Sequence, residues 1–118
     1  MSSGNQRQDA PGSLDEIRQK LRSMMPDLSR NYGITSIEIF GSYVRGEENE
    51  TSDLDLLVEF DRARPISLFA YIGIEQMLSD ILGVKVDLVE KIALKPALRQ
   101  RILDEAIKVC LQRLPVVG

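Results

Sequence analysis

The fold is decided by residues 53–60, which read Asp53-Leu54-Asp55-Leu56-Leu57-Val58-Glu59-Phe60. A short apolar run of this kind predicts a β-strand. Because successive side chains of a strand point to opposite faces, the even-numbered residues form a fully apolar face that must be turned towards a core. The odd-numbered residues form the other face, which carries Asp53 and Asp55 near its start.

The two aspartates predict a cation site. Aspartate is depleted in strands, and two carboxylates on one face repel each other unless a cation lies between them. Their Cα atoms would be roughly 6–7 Å apart on a rigid strand, a spacing that suits oxygen ligands of a divalent metal. The alternative is a solvated sheet edge with both carboxylates in water.

Asp87 strengthens the metal hypothesis. In residues 84–89, Val84, Val86 and Leu88 form an inward row, so Asp87 faces the side that Asp53 and Asp55 face. Three carboxylates on neighbouring strands are what a two-cation site requires, and such sites serve in-line displacement at phosphorus. The alternative is a surface salt bridge of Asp87 with Lys85 or Lys91. Glu59, farther along the face, is interpreted as solvated or paired with Arg62 or Arg64.

Gly41-Ser42 follows an apolar strand predicted over residues 34–40 and precedes a short helix predicted over 43–47. A glycine lets the backbone approach a phosphate, and the serine hydroxyl and helix amides can donate to it. The alternative is an ordinary turn with Ser42 as a helix cap. Arg45 could bind polyphosphate as a forked donor or pair with Glu47 or Glu48; Tyr43, an exposed aromatic beside the turn, is assigned to packing.

The whole chain predicts an α/β domain with a small mixed sheet of three strands or slightly more and helices packed mainly on one face. Ser13 begins a capping box, an apolar stripe follows from Leu14 to Leu28, and Gly33 ends the helix, which Pro26 either kinks or divides. The remaining elements are a helix over 67–82, a strand over 84–89 and a last helix from 95 or 96 to about 111. The buried residues expected in the two later helices are Leu68, Ile72, Leu78 and Ile81, and Leu98, Ile102, Leu103, Ala106 and Ile107. The first and last helices are expected to cover one face and to leave the aspartate face open.

Composition excludes several classes of protein. The 118 residues suffice for one domain, with residues 1–12 as a disordered tail and 13–113 as the folded part. A net charge of −3 gives no basic surface for nucleic acid, and without histidine there is no histidine-based catalysis or zinc site. No apolar run is long enough to span a membrane, and the single cysteine, Cys110, fits a reducing cytoplasm.

The combined motifs resemble one family. Gly41-Ser42, a spacer containing Arg45-Gly46, residues 52–58 with their Asp-x-Asp, and Asp87 in residues 86–89 look like the nucleotidyltransferase superfamily of DNA polymerase beta. Within it, the chain resembles the minimal nucleotidyltransferases, the MNT family, from Leu14 to about Leu111.

This resemblance implies a function. Asp53, Asp55 and Asp87 would hold two Mg²⁺ ions, and Gly41 and Ser42 would bind the triphosphate of ATP. Arg45 is a further candidate for nucleotide binding on its chemistry alone, beside its ion-pair alternative. Members of the MNT family are often antitoxins paired with a helical HEPN-domain ribonuclease, and several transfer AMP to a tyrosine of that partner. The alternatives left open are a non-catalytic module that masks its partner and an enzyme that modifies a small molecule such as an antibiotic.

Overall fold

The computed structural model describes residues 14–49 and 51–109, which form a mixed four-stranded sheet with helices. The predicted α/β class is confirmed. In chain order the elements are α1 (Leu14–Tyr32), β1 (Ile34–Phe40), α2 (Ser42–Arg45), β2 (Leu54–Phe60), α3 (Leu68–Leu82), β3 (Val86–Glu90), a 3₁₀ turn (Lys91–Ala93), α4 (Pro96–Glu105) and β4 (Ile107–Lys108). The strand order is β3-β2-β1-β4; β2 and β3 are parallel, and the other two pairs are antiparallel.

Helix α1 is continuous across Pro26, so the proline does not divide it. The helix ends at Gly33, whose positive φ of 76° lets its amide donate to the Ser29 carbonyl at 2.9 Å. Arg64 donates to the same Ser29 carbonyl and to two further carbonyls at this end, those of Arg30 and Asn31. The predicted cap at Ser13 and the tail over 1–12 lie outside the described residues.

Helices α1 and α3 pack on one face of the sheet. Their inward residues Ile17, Leu21, Leu28, Ile74, Leu78 and Leu82 share one core with the apolar face of β2, which is Leu54, Leu56 and Val58. Helix α4 has no buried residue, so the expectation that the last helix covers this face beside the first is wrong. The crossover helix between the parallel strands takes that place, as a parallel β2–β3 pair requires.

The buried face of α3 differs from the predicted one. Leu78 is buried as expected, but Leu68, Ile72 and Ile81 are exposed, and Phe69 is 89% exposed. Apolar residues occur almost all round this helix, so periodicity cannot select a stripe. Contact with the sheet selects Ile74, Leu78 and Leu82 instead.

The last helix is shorter than predicted, and a fourth strand follows it. α4 ends at Glu105, and Ile107 pairs with Ile39 of β1 in β4 rather than lying in a helix. Leu98 is exposed. Two arginines of α1 hold the short strand: Arg18 donates to the Lys108 carbonyl and Arg22 to that of Val109. The predicted helical residues 110 and 111 lie outside the described part.

The aspartate-bearing face of the sheet is partly covered, not open as expected. Leu57, on this face of β2, is buried, and so is Glu38, which lies opposite it on β1. Lys91 reaches over this face from the 3₁₀ turn and pairs with Glu38 at 3.3 Å and with Glu59 at 3.6 Å. The cover therefore lies near the Glu59 end and leaves the end with the aspartates accessible.

In the described part of the chain, no helix combines the length and apolarity needed to cross a membrane.

Candidate active site

The three predicted carboxylates lie together at one end of neighbouring strands. Strand β2 begins at Leu54, so Asp53 immediately precedes it, and the Leu54 amide donates to the Lys85 carbonyl at 2.7 Å. This bond aligns β2 with β3 and places Asp55 directly beside Asp87 in the parallel register. Asp55 and Asp53 are half-buried, whereas Asp87 is exposed.

Charge accumulates at Asp55. Burial, and after it the neighbouring carboxylates of Asp87 and Asp53, raise the pKa of Asp55 from 3.8 to about 6. Lys91 is engaged by Glu38 and Glu59, and neither it nor Lys85 pairs with Asp87 in the described residues. The acidic end of the sheet therefore lacks the lysine counter-charge that the salt-bridge alternative requires.

Gly41 brings a turn against Asp55. A Cβ atom placed on Gly41 would lie 2.1 Å from the Asp55 carboxylate oxygen, so any side chain here would collide with that carboxylate. The backbone of Gly41, at φ 83° and ψ −155°, is in a region that only glycine occupies readily. Both constraints demand glycine, and together they place the start of α2 against Asp55.

Ser42 opens the short helix α2. Gly41 is the N-cap residue and has no side chain to cap the helix, so the alternative in which Ser42 is the cap is wrong. The first amides of a helix have no partner within it. Within the described residues the Ser42 hydroxyl makes no hydrogen bond, which leaves it free to donate to a ligand.

Arg45 forms ion pairs within the protein. Its Nε donates to Glu47 at 2.9 Å, which is one of the two pairings considered from the sequence. Its Nη1 also contacts both carboxylate oxygens of Glu105, at 3.1 and 3.2 Å. Phosphate binding by Arg45 therefore requires its guanidinium to leave two carboxylates or to use the remaining nitrogen.

Glu105 was missed by sequence reasoning. Its Oε2 accepts the Gly41 amide at 2.8 Å, although the two residues are 64 positions apart. The sequence predicted residue 105 inside a longer helix, and no local pattern marks it. Only the ending of α4 at Glu105 and the pairing of β4 with β1 bring it to the glycine turn.

The structure corrects the predictions for two residues near the site, Tyr43 and Glu59. Tyr43 packs in the core as predicted but is buried rather than exposed, and burial, followed by Glu48 and Asp53, raises its pKa. Glu59 is exposed, in agreement with the solvated alternative, but it pairs with neither Arg62 nor Arg64; it accepts from Ser36 at 3.0 Å and pairs with Lys91.

The donor set suits a hard divalent cation. Burial and the neighbouring carboxylates of Asp87 and Asp53 raise the pKa of Asp55, so a cation that neutralises this charge would be stabilised here. Within the described residues, no three potential ligands already converge closely enough to form a complete metal cage. Magnesium commonly keeps several waters and takes phosphate oxygens as further ligands, so a partial protein site is consistent with it.

Comparison with known proteins identifies the family of this chain. Residues 14–109 match the family model of the nucleotidyltransferase domain. The protein adenylyltransferase MntA of Thermococcus cleftensis is 40% identical over 97 residues, which are 82% of this chain and 96% of that protein.

Two solved structures share the fold. A candidate minimal nucleotidyltransferase superposes with a TM-score of 0.64 at 39% identity, covering 78% of this chain and 92% of the other. A toxin–antitoxin structure with AMP-PNP gives a TM-score of 0.61 at 25% identity, covering 75% and 72% of the two chains. The resemblance inferred from the motifs is confirmed.

Proposed function

The chain belongs to the nucleotidyltransferase domain family, and we propose that it transfers AMP from ATP to a hydroxyl group of a partner toxin of the HEPN type. The observation that carries this proposal is that Asp55 lies against Gly41 of the Gly41-Ser42 turn and has the carboxylates of Asp53 and Asp87 near it. The name of the Thermococcus relative supports adenylyl transfer to a protein, and the toxin–antitoxin structure with AMP-PNP supports an adenine nucleotide and a toxin as the partner. The HEPN type of that toxin rests on the family resemblance.

Asp53, Asp55 and Asp87 would hold Mg²⁺ in this reaction. When bound, magnesium would supply Lewis-acid stabilisation of the phosphate oxygens and would lower the pKa of the acceptor hydroxyl. The Ser42 hydroxyl and the amides at the start of α2 would bind the triphosphate, which the acidic surface alone would repel.

The remaining chemistry is an in-line displacement at the α-phosphorus of ATP. A bond forms between the acceptor oxygen and the α-phosphorus, and the bond from that phosphorus to pyrophosphate breaks. Asp87 is the most exposed of the three carboxylates and is positioned to accept the hydroxyl proton. Pyrophosphate leaves with the electron pair of the broken bond.

A partner protein is proposed as both acceptor and lid. The cover formed by Lys91 stops short of the aspartates, so water would compete with an acceptor at the accessible end. A helical toxin docked over this end would exclude water and present the hydroxyl, which we assign to tyrosine by family resemblance. A cytoplasmic location stays a prediction.

The test combines the chain with α-labelled ATP, Mg²⁺ and the product of the neighbouring gene, followed by mass spectrometry. We expect label on a tyrosine of the partner and little ATP turnover by the chain alone. Asp53→Ala and Asp55→Ala should abolish labelling, whereas Asp80→Ala, a change at an exposed aspartate of α3, should not.

The other outcomes separate the alternatives. A stable complex without label would favour the masking module. Label on a small molecule alone would favour the antibiotic-modifying enzyme. Near-normal labelling by either aspartate variant would show that the metal assignment is wrong.

A further inference from the structure

We propose that Glu105 is a positioning residue that holds the Gly41-Ser42 turn in its ligand-binding conformation. The inference rests on the proposed function, because it assigns the support of the same nucleotide site. Glu105 is not a phosphate ligand, since a carboxylate repels a triphosphate. Its contacts are with the protein groups that shape the site.

One carboxylate joins both ends of helix α2. Glu105 accepts the Gly41 amide at 2.8 Å at the start of the helix and contacts the Arg45 guanidinium at 3.1 and 3.2 Å at its last residue. Charge-assisted hydrogen bonds of this kind are stronger than neutral ones. The Glu105 side chain is 28% exposed, so water competes with these bonds only in part.

Helix α2 needs such an anchor. It has four residues, and isolated helices shorter than about 12 residues are marginal in water. It also lies between two glycines with positive φ, Gly41 at 83° and Gly46 at 74°, and glycine gives the backbone maximal freedom. The buried Tyr43 fixes one side of the helix.

The anchored turn determines the geometry of the site. Gly41 lies against the Asp55 carboxylate, and Ser42 follows it directly. If the Gly41 amide loses its acceptor, the strained conformation of this residue has less to maintain it. Rotation at Gly41 would then displace the Ser42 hydroxyl and change the space available to Asp55.

Two variants of similar length separate the parts of this anchor. Glu105→Gln keeps an acceptor for the Gly41 amide and removes the charge that faces Arg45. Glu105→Met keeps the side-chain stem and removes both interactions. The matched control is Glu47→Gln, which removes the charge of the other Arg45 partner without touching Gly41.

The first measurement is the rate of hydrogen exchange at the Gly41 amide in the full chain, which NMR detects. In Glu105→Met, exchange at Gly41 should accelerate at least about tenfold, while amides in the α1–α3 core keep their rates. Glu105→Gln should retain most of the protection, and Glu47→Gln all of it. Unchanged Gly41 exchange in Glu105→Met would overturn the proposal.

The second measurement is calorimetric binding of Mg²⁺ with AMP-PNP. We expect Kd to rise about tenfold in Glu105→Met, as loss of one charge-assisted hydrogen bond allows, and less than threefold in Glu105→Gln. Tighter binding in Glu105→Met would also overturn the proposal, because it would show that Glu105 competes with phosphate. Failure of the unaltered chain to bind the nucleotide would instead count against the proposed function, and the Gly41 exchange data would still test the anchor.

Discussion

At the scale of single residues, Asp55 links stability to pH. Burial and the carboxylates of Asp87 and Asp53 raise its pKa to about 6. A carboxyl whose pKa is higher in the folded than in the unfolded chain favours folding when protonated. Its ionisation therefore lowers the free energy of unfolding as pH rises from about 4 to about 6.

Asp55→Asn should remove the loss of stability that ionisation of Asp55 causes. Without Mg²⁺ at pH 7.5 we expect the free energy of unfolding to increase by about 1 kcal/mol, after allowance for solvent screening at a half-buried position. The gain should largely vanish near about pH 3, below the unfolded-state pKa of 3.8, where Asp55 is mostly protonated in both states. Denaturant titrations at the two pH values, with the exposed Asp80→Asn as control, measure the difference; a gain that is equal at both pH values would contradict the charge explanation.

A second prediction at the scale of single residues concerns Gly41. Gly41→Ala should destabilise the chain more than Gly46→Ala and should abolish nucleotide binding. Alanine costs about 1–2 kcal/mol in backbone conformation at Gly46, which is left-handed, and about 1–3 kcal/mol at Gly41, whose ψ of −155° lies in a region almost restricted to glycine. Only at Gly41 would the new Cβ also strike the Asp55 carboxylate, because nothing lies within 4 Å of the position at Gly46.

Thermal unfolding and calorimetry with AMP-PNP and Mg²⁺ test this pair. Equal loss of stability and of binding in both variants would show that backbone conformation alone, and not the contact with Asp55, makes glycine necessary at position 41.

At the scale of the element, α3 contains a glycine that its fold does not require. Gly73 lies inside the helix, and a Cβ there would meet nothing within 4 Å. Gly73→Ala should therefore raise the free energy of unfolding by about 0.5–1 kcal/mol, since alanine favours helix more than glycine does. Urea titration measures the gain, and a loss of stability would contradict the open space around position 73.

Helix α3 also protects the sheet edge. Backbone groups on the outer edge of β3 form hydrogen bonds with side chains of α3. The Val86 amide donates to Ser79 and the Leu88 amide donates to Glu75, while the Tyr71 hydroxyl donates to the Leu88 carbonyl. An uncovered edge would be a template for pairing with another chain. The same helix therefore contributes Ile74, Leu78 and Leu82 to the core and polar groups to the edge.

At the scale of the whole molecule, the proposed function requires an acidic protein to bind an acidic substrate. The net charge of −3 and the three carboxylates oppose ATP unless a cation accompanies it. We expect weak Mg²⁺ binding by the chain alone and at least about tenfold tighter Mg²⁺ binding when ATP is present, because magnesium takes substrate phosphates as ligands. Calorimetric Mg²⁺ titrations with and without AMP-PNP test this, and equally tight binding without nucleotide would contradict it.

The sequence by itself determined the parts of this protein that depend on local pattern. β1 has the predicted bounds, and the alternation of residues 53–60 correctly assigned Leu54, Leu56 and Val58 to the core. These inferences succeed because side chains of a strand alternate with a period of two residues, and a run of eight residues is long enough to show that alternation. The glycine turn and the three aspartates belong to the same class, and their catalytic roles stay predictions.

Only the tertiary structure decided the features that depend on distant pairing. The face of α3 that is buried, the fourth strand and the approach of Glu105 to Gly41 each depend on a surface supplied by another part of the chain. An all-round apolar helix has no preferred side until a sheet is present, and a two-residue strand exists only beside β1. Glu105 has no local signature at all, because its partner lies 64 residues away and meets it only after the sheet has formed.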